Sequence, residues 1–426
     1  MTSVQEPVAT GGWRAIFRGS AGIAIAMAVM NVSTYGFQLI SARILGPSQY
    51  GAIASLMALL MVLAVLQLGL QATAARRIAG QPEHVGQIEH AVLRLTYRAA
   101  LALGLLTLLA APLVWRVLRL DSIVPALLLA VAAVPLTIAG GQGGILQGER
   151  RWLPLGLLYL GVGVPRLVIG TICILVSPTE TSAMFGVMLG LWVPVLTGWW
   201  ALRSHRDPGE TSEEHRARSI AREAIAASVA LLGFFVLSNV DIVIARNVLG
   251  EHDAGLYAGG LILTKAVLFL PQVVVVIAFP SMSTAELRRT ALVRSMVLVL
   301  GLGAVCTAGA WLLAPIALAF VGGAEYADVE SRLWLFAVLG TVLAMLQLLV
   351  YSVLARRGTR SSYLVWAGVV LLVVGTLRTS TLDGLLLTVI AVDTLLLLVL
   401  TAVSFWRLRE PLPADELADP VPGPTT

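Results

Sequence analysis

The chain has 426 residues, of which 58% are hydrophobic and only 12% charged, with a net charge of +5 and a mean hydropathy of +0.88. A soluble domain of this length has no use for so much apolar side chain, so the composition excludes a soluble enzyme or binding module and points to a polytopic membrane protein. The basic residues are scattered in small groups over loops rather than gathered on one face with aromatics between them, which excludes a nucleic-acid surface.

In chain order, Met1 to Ser20 is polar, and the apolar run from Ala21 is too long for the core of a signal peptide, so it is expected to be a retained first span. A membrane helix needs roughly 20 apolar residues. On that measure the predicted spans are 21–43, 52–75, 93–117, 122–146, 153–176 and 183–203, then 223–246, 254–279, 292–320, 332–355, 361–381 and 384–406. The expected organisation is a cytoplasmic segment at 1–20, a six-helix lobe at 21–203, a charged cytoplasmic linker at 204–222, a second six-helix lobe at 223–406 and a tail at 407–426. The linker carries Pro208-Gly209 and has the composition of a short amphipathic helix; the tail, rich in proline and acid, reads as disordered and cytoplasmic. With the N-terminus inside, twenty-one of the 29 basic residues fall in inner segments, six in outer ones and two within spans, a strong positive-inside bias.

The two halves carry an echo of one another. LGPSQYGAIAS (Leu45 to Ser55) aligns with LGEHDAGLYAG (Leu249 to Gly259), matching Leu45, Gly46, Gly51 and Ala54 to Leu249, Gly250, Gly255 and Ala258. Each copy closes one apolar helix and opens the next, as duplicated halves in the same orientation would.

Ionisable residues within spans are costly and mark function by default. Lys265, the chain's one lysine, lies about eleven residues into its predicted span, roughly 17 Å deep at 1.5 Å per residue. Arg166 is similarly central, with Tyr159 two turns away, and Asp393 is central in the last span. Asp241 sits nearer a helix end, and the repeat sets Gln38 opposite it. Asn31, Thr34, Gln38 and Ser41 form one polar stripe at helical spacing, and Gln272 shares the face of Lys265, Ala258 and Leu261. These residues suggest a polar cavity between the halves, with Lys265, Arg166, Gln38, Asn31 and Gln272 facing a substrate. Asp241 and Asp393 would balance charge or take up a coupling ion. The alternative is internal pairing, for instance Lys265 with Asp393, with Arg43 and Arg246 reaching to headgroups and the polar stripe bonding between helices.

Other chemistry is not expected. The five histidines stand in loops without ligand spacing, there is no phosphate-cradling loop, and Cys173 and Cys306 read as packing residues, so neither metal nor cofactor is implied. Gly140, Gly141, Gly143 and Gly144 read as a close helix contact. The outer loops are too short for a catalytic domain, which argues against a membrane glycosyltransferase, ligase or polymerase.

At LGPSQYGAIASLMALLMVLAVLQLGLQATAAR (Leu45 to Arg76) and at VDIVIARNVLGEHDAGLYAGGLILTKAVLFLP with Phe279-Pro280, the chain resembles bacterial polysaccharide-biosynthesis membrane proteins, the Wzx-type flippases. ILQGERRW (Ile145 to Trp152) and FVGGAEYADVESRLWLF (Phe320 to Phe336) resemble that family's loops in kind and order. The resemblance covers nearly the whole chain. It implies an all-α membrane fold of about twelve helices in two six-helix lobes, in the multidrug/oligosaccharidyl-lipid/polysaccharide (MOP) exporter superfamily. It further implies alternating access, with a polyprenyl-linked oligosaccharide moved across the bacterial cytoplasmic membrane. The implied partners are that lipid-linked glycan, membrane lipids, and the polymerase and glycosyltransferases of the same biosynthesis. A cation or drug antiporter of the same superfamily is the alternative, and Asp241 and Asp393 leave room for it.

Overall fold

In the computed structural model, residues 20–203, 217–268, 287–354 and 359–407 are described. The expected N-terminal segment, most of the linker, the tail and Gln272 lie outside those residues. Within them the chain is helical and has no strands.

The first helix, α1 (Ser20–Gly80), is 61 residues long. A straight helix of that length would run about 92 Å, three times the hydrocarbon thickness of a bilayer. It breaks at Gly46, where φ is 67° and ψ 174°, values that a Cβ would make costly. Pro47 then opens the second limb at the one helical position where proline is welcome. The loop expected around residues 44–51 is therefore a single-residue break between two crossings.

There follow α2 (Val85–Val117), α3 (Val124–Gly148), α4 (Trp152–Val176), and a sixth crossing split at Leu191 into α5 (Glu180–Gly190) and α6 (Trp192–Leu202). The second lobe comprises α7 (Ala217–Val248), α8 (Glu251–Leu268), α9 (Leu287–Leu312), the short α10 (Ala314–Val321), α11 (Leu333–Leu354), α12 (Thr359–Thr376) and α13 (Leu382–Arg407). Residues 217–222, expected in the linker, are the first turns of α7, and the span expected at 292–320 is divided between α9 and α10 at Leu313. Nine segments among the described residues are long and apolar enough to cross a bilayer. The first of these holds two limbs, and α8 and the shorter apolar α12 complete twelve crossings, six to a lobe.

Lipid is as apolar as leucine, so helices in a membrane are held by close packing rather than by escape from water. The glycine cluster of α3 shows how. A Cβ at Gly140 would strike Gln67, one at Gly144 would strike Gln71 and Ala74, and one at Gly141 would strike Thr96. Gln71 Nε2 donates to Tyr159 Oη (3.0 Å) and Gln147 Oε1 (3.1 Å), which ties the second limb of α1 to α3 and α4. The largest buried cluster lies between the lobes: Phe37, Tyr50, Ile53 and Leu56 of α1 meet Leu237 and Ile242 of α7 and Tyr257, Leu261 and Ile262 of α8.

The ends of the bundle differ. At the Gly46 end, the two copies of the repeat lie against each other. A Cβ at Gly51 would stand 3.1 Å from the Gly255 Cα, and one at Gly255 would strike the Pro47 carbonyl. Around this contact, Asn247 Nδ2 donates to the Val117 carbonyl (2.8 Å), Tyr326 Oη to the Ala42 carbonyl (3.3 Å), and Arg43 to the Ala319 carbonyl. At the other end, Arg76 and Arg77 both pair with Glu223, and Arg77 Nη2 reaches Ser219 Oγ at 2.9 Å.

Candidate functional site

The site is built by three helices of the second lobe and both limbs of α1. Helix α7 ends at Val248 and α8 begins at Glu251, so the polar turn between them folds α8 back beside α7. That brings Ser238, Asn239 and Asp241 of α7 alongside Tyr257 and Lys265 of α8. Tyr257 Oη donates to Asp241 Oδ2 at 3.0 Å, both groups being buried. Lys265 Nζ donates to Asn239 Oδ1 at 2.6 Å and to the Ser238 carbonyl at 3.1 Å. It forms no ion pair with any described carboxylate, so the alternative of pairing with Asp393 is not met; Asp241 is near enough to act on it electrostatically.

Asp393, from α13, completes the cluster and lies within electrostatic reach of Asp241 and Tyr257. Asp241 is 2% exposed and Asp393 1% exposed. Asp241 Oδ1 and both carboxyl oxygens of Asp393 have no hydrogen-bond partner among the described residues. An ionised carboxylate left so costs several kcal/mol, so this pair calls for a cation or a proton.

Lys265 opens on the other side into a cleft between the lobes. Its walls include Phe37, Gln38, Ser41 and Tyr50 from α1 and Asn239, Ile242 and Leu261 from α7 and α8. A second cleft in the first lobe shares Phe37, Gln38, Met57 and Met61 and adds Thr34 and Arg166. Gln38 thus faces both cations. Arg166 is buried, and its Nε has no partner among the described residues. The clefts offer a water-sized molecule about 50 and 60 Å³. That is room for a few waters, far below the roughly 300–1,000 Å³ of a ligand pocket. The cavity expected from sequence is therefore, in this structure, two narrow slots. Of the other expected residues, Asn31 lines neither slot and has partners of its own.

Sequence reasoning passed over Tyr257 and Asn239 and gave Arg246 no part in joining the lobes. Tyr257 had a legible signal: it aligns with Ile53 in the repeat, so the second copy replaces an apolar residue with a hydroxyl donor. Arg246, expected to reach headgroups, is 4% exposed and turns inward. Its guanidinium donates to the carbonyls of Leu118 (Nε, 2.9 Å) and Arg119 (Nη2, 2.6 Å) of the opposite lobe. Those carbonyls belong to the C-terminal end of α2, where the chain turns through a left-handed Arg119 with φ of 48°. Unpaired carbonyls and the negative helix pole attract a cation there, and Arg246 supplies it across the lobe boundary. No metal-binding cluster of His, Cys, Asp and Glu occurs among the described residues, and both cysteines are free.

Comparison with known proteins places this arrangement. Residues 18–286 match the family model described as polysaccharide biosynthesis protein. No curated protein matches the sequence. Among solved structures, an inward-facing multidrug-resistance MATE family transporter of the MOP superfamily is similar with a TM-score of 0.69 at 18% identity, over 90% of this chain and 98% of that one. A MOP superfamily transporter from Pyrococcus furiosus, whose reversed binding-pocket polarity is held to suggest a different function, aligns with a TM-score of 0.61 at 17% identity over 93% and 95% of the two chains. An outward-facing MATE transporter aligns with a TM-score of 0.58 at 16% identity over 93% and 98%. At such identities these likenesses show the fold, while the family match spans well over half the chain. The chain therefore belongs to the polysaccharide biosynthesis protein family, as a multi-pass membrane protein with the fold of MOP-superfamily transporters.

Proposed function

We propose that this chain is a flippase that moves a polyprenyl-phosphate- or pyrophosphate-linked oligosaccharide across the bacterial cytoplasmic membrane by alternating access. The Arg77 end faces the cytoplasm, in keeping with the positive-inside count, and both termini lie there. The observation that carries the reading is Lys265: an ammonium at mid-membrane, on the seam between lobes, held by an amide and a carbonyl and by no described carboxylate. A phosphate arriving in the opened slot would supply the missing anion, with Gln38 beside it and Arg166 a few side chains further. The lipid tail stays in hydrocarbon, and the polar head crosses between the lobes.

The work is positioning and exposure, with no bond made or broken, so the protein acts as a transporter and not as an enzyme. Asp241 and Asp393, buried and short of partners, are the candidates for a coupling ion or proton. Loading them alters the balance of charge around Lys265 and so links an ion gradient to the seam. The polymerase and glycosyltransferases of the same biosynthesis would be the neighbouring activities.

The alternative is a cation or drug antiporter, favoured by the same two carboxylates. Purified protein in proteoliposomes separates the two. With a fluorescent lipid-linked oligosaccharide, a flippase translocates the probe and Lys265→Glu abolishes it. An antiporter leaves the probe in place but moves an organic cation, and Lys265→Glu preserves or raises that transport.

A further inference from the structure

Arg166 stands near the middle of α4 and is 8% exposed. Two close approaches of α5 fix its direction. A Cβ at Gly186 would strike the Gly170 Cα, and one at Gly190 would stand 3.0 Å from the Arg166 backbone nitrogen, so α5 closes that flank of α4. The side chain lies on the other flank, in the narrow slot against α1 and Leu136 of α3.

There it has no counter-charge. A guanidinium keeps its proton in a protein and presents five N–H donors. None of them, Nε included, donates to a described residue, and no described carboxylate lies within electrostatic reach. Lys265 is better served: it has Asn239 and the Ser238 carbonyl as acceptors and Asp241 close by. A buried ion left without a partner costs several kcal/mol.

The slot supplies what a small anion needs. Beside the guanidinium stand the Gln38 amide and the Thr34 hydroxyl, neither of them hydrogen-bonded to a described residue. All three groups carry donors. The rest of the wall, with Phe37, Met57 and Leu136, is apolar. The space is about 60 Å³, twice the share of one water in the liquid, roughly 30 Å³. One small ion fits, with a water at most, whereas a lipid-linked sugar needs hundreds of Å³. The apolar wall decides which ion. An anion that holds its water tightly, such as fluoride, loses more on entry than three donors return; a larger, weakly hydrated monovalent halide loses less.

We infer that Arg166, Gln38 and Thr34 form a halide site in the first lobe, filled by chloride while the lobes are closed. The inference goes beyond the flippase reading and does not depend on it, because the ion compensates the cation in the state that holds no headgroup. The two lobes then balance their interior cations differently, one with a carboxylate of its own and the other with an exchangeable ion.

The test titrates the purified full chain with sodium chloride and sodium bromide, ionic strength being held with sodium gluconate, and follows the thermal midpoint. Both halides should raise it along a saturating curve by about 2 °C or more, as a ligand that binds only the folded state does. Sodium fluoride should give no saturating rise. Arg166→Gln takes away the cation and Ala64→Leu, on the α1 wall, takes away the space; each should flatten the halide curves. A wild-type midpoint equal in chloride and gluconate overturns the inference. So does a saturating response that survives in Arg166→Gln or, should that variant not purify, in Ala64→Leu. A response kept in Arg166→Gln and lost in Lys265→Gln moves the anion to the seam and likewise overturns it. Lipid-linked oligosaccharide transport measured in gluconate is a separate readout. Transport without a halide response sinks this inference alone, and a halide response without transport sinks the flippase reading alone.

Discussion

The two lobes repeat one helix order but keep different chemistry in their interiors. The first lobe holds a single buried cation there, Arg166, and spends its polar side chains on holding helices together, as Gln71 does between Gln147 and Tyr159. The second lobe gathers both signs in one place: Asp241, Asp393 and Lys265, with Tyr257 and Asn239 as bonding partners. The two lobes share an architecture and differ in which of them gathers charge. A headgroup on the seam would meet a wall with one cation on one side and an ion-responsive cluster on the other. The ends of the molecule are similarly unequal. The Gly46 end is joined by backbone against backbone and by Arg246 on two carbonyls, while at the Arg77 end the described contacts include Arg76 and Arg77 on Glu223 and Arg77 on Ser219.

The sharpest way to break the comparison between lobes is to reverse the charge at Lys265. Lys265→Glu would put a third carboxylate beside Asp241, which has one oxygen without a partner, and Asp393, which has two, and translocation of a phosphorylated lipid in proteoliposomes should fall on the order of 100-fold or more. Lys265→Arg should keep it within about tenfold, since a cation remains. Arg166→Gln should cost less than Lys265→Glu, roughly tenfold or about 1.4 kcal/mol, because it removes a cation without adding an anion. An equal loss at both positions would mean that the lobes share the headgroup evenly.

Asp393→Asn addresses the ion-handling side alone. Transport should lose its dependence on an imposed ion or proton gradient, while the thermal midpoint holds or rises, because an amide avoids the burial cost of an unpartnered carboxylate. Retained gradient dependence would remove Asp393 from the coupling role.

The ends are compared through stability. Arg246→Ala leaves the α2 carbonyls without their cation, and the loss should be about 2–3 kcal/mol, as for hydrogen bonds involving a charged group. The same variant should raise thiol labelling of a cysteine placed at Ser48. Gly255→Ala forces a Cβ onto the Pro47 carbonyl and should act in the same direction by about 1–3 kcal/mol. Glu223→Gln should have the smallest effect, about 0–1 kcal/mol, because Arg76 is largely exposed and the pair is screened. A larger effect at Glu223 than at Arg246 would invert the picture of which end holds the lobes together.

Membrane location, the all-helical class and twelve crossings were legible in the amino-acid order, because twenty apolar residues in water-excluding lipid have one affordable backbone, the helix. The echo between the halves was legible too, in Leu45, Gly46, Gly51 and Ala54 against Leu249, Gly250, Gly255 and Ala258, although of these only Gly46 sits where φ is positive. That Lys265, Asp241 and Asp393 were costly, and so worth watching, followed from their depth alone. What they touch did not. Lys265 bonds Asn239 rather than Asp393, and Arg246 crosses to the other lobe rather than rising to the surface, because partners 26 and 128 residues apart are set by how helices lean, which local periodicity does not encode. Gly51 and Gly255 stood in the sequence only as matching positions of the repeat, and only the packed lobes turn them into one contact.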